Sequence, residues 1–107
     1  MQITGRPLAS ASYVANADWA AKHADALRRW VRVTLEAGAY TNGHHAQTAQ
    51  LVADNTKIPL AIIERVARVQ AATPATADPS FLQPLIDVAY KYGNIPRTFP
   101  AKEMWFS

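Results

Sequence analysis

The chain has no cysteine. Disulfides, thiolate nucleophiles and cysteine-bound zinc are therefore excluded, and any metal site is left to histidine and carboxylate. Glycine is scarce, with four residues in all, and none falls in a loop that would cradle a phosphate. No serine sits in a G-x-S-x-G turn either. No apolar run approaches the roughly 18 residues that a membrane span needs. Residues 1–12 lack the basic start and apolar stretch of a secretory signal, so the chain as written is expected in the cytoplasm. Charge is low as well, at 18% of residues.

What remains is mostly hydrophobic: 50% of 107 residues, which is the balance of a globular chain rather than a disordered one. That length suits one domain, taken as 1–107, with an irregular lead-in or short strand over 1–15 and helix over 16–106. Much of the apolar content is alanine, which buries little surface. A thin core is expected, with an exposed apolar face through which the chain forms a homo-oligomer. The net charge of +3 comes from dispersed cations. Only Arg28, Arg29 and Arg32 cluster, flanked by Asp25 and Glu36 at the spacing of a solvated, ion-paired helix face.

The periodicity is helical almost throughout, which predicts an all-α fold of four to five helices with at most one short N-terminal strand near 10–15. Asn16 or Asp18 supplies a first N-cap. Trp19, His23, Leu27, Trp30, Val31, Thr34 and Leu35 then mark one face of a continuous helix that runs to about Thr41, with Asn42-Gly43 as its stop. A second helix is expected over 45–54. Pro59 opens a third, on which Leu60, Ile62, Ile63, Val66 and Val69 demand burial on more than one side. The last third carries the strongest signals. Asp78-Pro79 is a cap followed by a proline, and Phe81, Leu82, Leu85, Ile86, Ala89 and Tyr92 share a face. Gly93 fits the left-handed position after a helix, and Ile95 follows where an apolar residue packs back on the last turn. Pro84 interrupts the pattern and predicts a kink or an offset opening turn, and Pro100 starts one more turn.

Chemistry-bearing constellations are few. His44 and His45 are adjacent, so on a helix they diverge by about 100° and cannot chelate as an i, i+4 pair does. His23 is expected at the core edge, and Trp19, Trp30, Tyr40 and Trp105 in the core rather than around a ligand. Asp78 is a cap, and Asp87 stands most of a helix away from it. The chain is expected not to be an enzyme. No residue is assigned a catalytic, cofactor or metal role, and no cofactor is expected. Residues 46–69 match the outline of a helix-turn-helix, but a recognition helix starting Pro59-Leu60-Ala61-Ile62-Ile63 would set hydrocarbon against base edges. No nucleic-acid partner is expected.

Three stretches, in order, resemble the C-terminal portion of periplasmic substrate-binding proteins of the nitrate/sulfonate/taurine type, which serve ATP-binding-cassette (ABC) importers. Relatives of that family include the thiamine-precursor-binding proteins. The first stretch is Tyr13-Val14-Ala15-Asn16-Ala17-Asp18-Trp19 and on to His23. The second runs from Trp30-Val31-Arg32 through Glu36-Ala37-Gly38 to Asn42. The third runs from Asp78-Pro79 through Gln83-Pro84-Leu85-Ile86-Asp87 to Lys91-Tyr92-Gly93-Asn94-Ile95-Pro96, extended by Phe99, Ala101, Lys102 and Glu103. Together they span residues 13–103. Ala24 replaces a common proline, and His44-His45 replaces the usual asparagine-proline start. The resemblance implies the C-terminal helical part of a type II periplasmic-binding-protein fold. It implies a small anion, sulfonate or pyrimidine-like solute as ligand, an ABC importer permease as partner and the periplasm as compartment. The two N-terminal lobes of that family, which supply most cleft contacts, have no counterpart in these residues, so the chain alone is expected not to bind ligand. The alternatives are a stand-alone helical interaction or regulatory domain and, behind it, a helix-turn-helix DNA-binding protein.

Overall fold

The computed structural model describes residues 8–106. The described residues form five α-helices and no strand, which makes the fold all-α as the periodicity predicts: α1 (Ala17–Lys22), α2 (Ala24–Gly43), α3 (His45–Thr56), α4 (Leu60–Ile63) and α5 (Gln83–Lys91). Two 3₁₀ turns, Pro79–Phe81 and Ala101–Met104, flank α5. Residues 10–15 take no regular structure. The chain divides into two compact units. One is Ala24–Ala77, and the other combines the described parts of Met1–His23 and Asp78–Ser107.

In the central unit, α2 turns inward the face bearing Leu27, Val31, Thr34, Leu35 and Gly38, all buried or half-buried. The core is small and alanine-based. Ala49 and Ala53 of α3 meet Ile63 of α4, with Val52 and Leu60 packed around them. Lys57 ends α3 in the left-handed conformation (φ 61°), its N–H donating to the Ala53 carbonyl at 2.9 Å.

Two expectations fail here. The predicted continuous first helix breaks at His23, whose ψ of 33° turns the chain out of helical geometry. The third helix lasts one turn, Leu60–Ile63, and Val66 and Val69 lie beyond it, exposed. From residue 67 the chain is instead a non-helical strap. The Arg68 guanidinium donates to the His45 carbonyl (3.3 Å) and the Thr48 hydroxyl (3.2 Å), and Ala71 pairs with Asn42. Those bonds reach 20 to 29 residues back along the chain, and a helix continued past Ile63 would not deliver the strap's backbone to them.

The other unit is built around α5. Asp78 caps the opening 3₁₀ turn by accepting from the Ser80 N–H at 2.7 Å. α5 starts afresh at Gln83, which puts Pro84 in the first turn, where its missing N–H is no loss. The expected offset at Pro84 is therefore present, and that ring is fully buried. Gly93 (φ 78°) closes the helix as a Schellman motif, with its N–H donating to the Tyr90 carbonyl (3.0 Å) and that of Asn94 to the Ala89 carbonyl (2.8 Å). Ile86, Pro84 and Ala101 are the buried residues among those described in this unit.

Candidate functional site

The histidines do not converge. His23 and His44 each stack on an aromatic ring one turn earlier, His23 on Trp19 with centroids 4.6 Å apart and His44 on Tyr40 at 3.9 Å. Each also places Nδ1 on that residue's carbonyl oxygen, at 3.0 and 2.7 Å. Both are thus occupied in finishing a helix: His23 closes α1, and His44 sits between α2 and α3. His45 opens α3 with its Nε2 enclosed and lacking a hydrogen-bond partner. Among the described residues, no group of three or more histidine, aspartate or glutamate side chains is placed to hold a metal.

The aromatic residues correct the expectation that they form the core. Trp19, Trp30, Tyr40 and Trp105 are all exposed by a third or more. Stacking with a neighbour, rather than burial, is what Trp19 and Tyr40 contribute. The basic cluster on α2 is solvated, and Arg28 pairs with Asp25 at 3.1 Å on the surface. α4 offers one apolar turn behind Pro59, with no polar side chain at its start for a base edge to meet.

The two most organised polar sites are amide clamps, and the residues alone did not announce them. On α2, Asn42 Nδ2 donates to the Ala71 carbonyl at 2.8 Å, and the Ala71 N–H returns to Asn42 Oδ1 at 2.8 Å. The carboxamide matches both groups of one residue, as a neighbouring strand would. One turn earlier, Gly38 lies beneath the strap: a Cβ there would stand 2.4 Å from the Ala72 carbonyl oxygen. A glycine inside a helical pattern signals such a close approach, but the pattern does not say what approaches.

On α5, Gln83 does the same for the C-terminal tail. Its Nε2 donates to the Phe99 carbonyl at 3.0 Å, and the Ala101 N–H donates to its Oε1 at 2.7 Å. Asp87, one turn on, accepts from Gln83 Nε2 (3.0 Å) and from the Thr98 hydroxyl (3.1 Å) through Oδ1. Asp87, expected most of a helix away from Asp78, has these two among its partners. At Asp78 the carboxyl is held below its ordinary value of 3.8, chiefly by the Ser80 hydroxyl and then by the Ser80 N–H. That is the signature of a cap, not of an acid-base group.

These sites organise backbone. None of the described helices is long and apolar enough to cross a membrane. No protein-family model, curated protein or solved structure matches the chain.

Proposed function

We propose that the chain is a fragment-length relative, corresponding to the C-terminal helical part, of the periplasmic solute-binding proteins that feed ABC importers for small anions, sulfonates or pyrimidine-like solutes. On this reading it acts as a scaffold that packs on a lobe and does not itself hold the solute. The observation that carries this is the imbalance between core and surface. The central unit buries two alanines and one isoleucine, while Leu51 and Ile62 on the same two helices stay exposed, as do Leu85 on α5 and Tyr92 just after it. Large apolar side chains left outside a core of that size suit a segment covered by a larger body. The resemblance in the order of motifs over residues 13–103 is what suggests that body.

The test supplies the body. The chain is produced together with the two-lobed portion of a nitrate/sulfonate/taurine-type binding protein lacking its own C-terminal helices. Co-purification, with calorimetric solute binding restored, is the expected result, and the chain alone binds no sulfonate, nitrate or pyrimidine. Solute binding by the chain alone would refute the scaffold role. A folded chain that neither joins the lobes nor binds a solute would favour the stand-alone interaction domain instead.

A further inference from the structure

α2 carries a second apolar stripe, on a different side from the face it turns inward. Ala26, Trp30, Val33, Ala37 and Tyr40 recur at alternating spacings of four and three, the pattern of a helix-pairing seam. All five are exposed, with Trp30 at 45%, Val33 at 58% and Tyr40 at 54%. The residues just before Trp30 and Ala37 are Arg29 and Glu36, so the same edge of the seam bears one charge of each sign.

We propose that this seam pairs with the same seam of a second copy, antiparallel, about a two-fold axis passing between residues 31 and 32. In that register Trp30 meets Val33 of the second copy, and Ala26 meets Ala37. Each layer thus sets a large side chain beside a smaller one, or two small ones together, so the helices approach closely. Symmetry makes every contact occur twice. The same register brings Arg29 to within two residues, about 3 Å along the helix, of Glu36 of the second copy at both ends, since in antiparallel pairs the edges that meet are the equivalent ones. A parallel pair would instead set Arg29 against Thr34 and Glu36 against Thr41, with no charge matched. Charge complementarity therefore selects both the occupant and its direction.

Residues 26–37 span about 17 Å of helix. That is a short contact beside a standard interface of about 1,600 Å², so the dimer forms and dissociates with concentration. The seam does not use Leu51, Ile62, Leu85 or Tyr92, and the inference stands without the solute-binding reading.

Sedimentation of the full chain across a concentration series tests it, and circular dichroism confirms that each variant keeps its helix content. The wild type shifts from monomer to dimer. Glu36→Arg sets arginine against Arg29 twice and raises the dissociation constant about tenfold or more. Arg29→Glu combined with Glu36→Arg restores the pairs and the dimer. Because the chain has no cysteine, direction is read separately by mixing Ala26→Cys with Ala37→Cys under oxidation. The mixed disulfide dominates if the pair is antiparallel. A wild type that stays monomeric to its solubility limit overturns the inference. So does association indifferent to Glu36→Arg, or crosslinking in which each variant joins its own kind.

Discussion

Each unit of this protein fastens a returning stretch of backbone with one carboxamide, but the two fastenings are built differently. In Ala24–Ala77 the side chain is Asn42, and both its bonds go to Ala71. In the unit containing α5 it is Gln83, one methylene longer, and its bonds go to Phe99 and Ala101. The shorter side chain needs the strap nearer the helix, and the residue one turn before it is Gly38, which leaves that room. The longer one needs no such room. The residue one turn after it is Asp87, which adds an acceptor for both Gln83 and Thr98. The seals differ too. Around Gln83, Pro84 and Ala101 are buried, whereas the strap at Ala71 is flanked by Val69, which is 80% exposed. Close approach and extra acceptors are thus two solutions to one problem, and they fail in different ways.

The largest effect belongs to the close approach. Gly38→Ala puts a Cβ against a backbone oxygen that has no rotamer with which to escape. Alanine's better helix propensity offsets only about 1 kcal/mol of the clash. A net loss of about 2 kcal/mol is expected in denaturant unfolding, from overpacking. The two clamps come next, and their order tests the contrast in sealing. Gln83→Ala strips partners from a part-buried N–H at Ala101 and should cost about 1.5–2 kcal/mol. Asn42→Ala affects a more exposed pair and should cost about 1 kcal/mol or less. Equal losses would mean that the seal around Pro84 contributes nothing.

A smaller change, of opposite sign, is expected at Lys57. Its left-handed backbone favours glycine, and Lys57→Gly should raise stability by about 0.5–1 kcal/mol in the same assay. The smallest effect is a pH response at Asp78. Because the folded carboxyl titrates below 3.8, its stabilising share is complete above that value and is lost as pH falls through the folded one. An acid titration followed at the Ser80 amide should show the opening turn loosening only below about pH 4. The response should be absent in Asp78→Asn, which still accepts as a cap.

The features that were legible in the chain are those decided within a few residues. Asp78 and Ser80 are two apart, the Schellman bonds at Gly93 reach back three and five positions, and the restart at Pro84 is a local matter. The cap at Asn16 belongs with them, its Oδ1 accepting from Asp18 and Trp19. The clamps were not legible, because Asn42 and Ala71 lie 29 residues apart and nothing in alanine marks it as a partner. The length of α4 failed for the same reason. Residues 60–69 carry enough branched apolar side chains for a buried helix, yet the Arg68 and Ala71 bonds draw the chain away after one turn. The break at His23 was hidden because Ala24 is a good helix former, while the turn is made by His23 itself, which directs both its ring and its N–H to the Trp19 carbonyl.

Amide hydrogen exchange at Ala71 and Ala101, followed by NMR in the wild type and both clamp variants, tests the two-clamp arrangement most directly. Both amides should be protected in the wild type, with Asn42→Ala releasing Ala71 alone and Gln83→Ala releasing Ala101 alone. Wild-type exchange at Ala71 and Ala101 as fast as at exposed Val69, or loss of both protections in either variant, would contradict it.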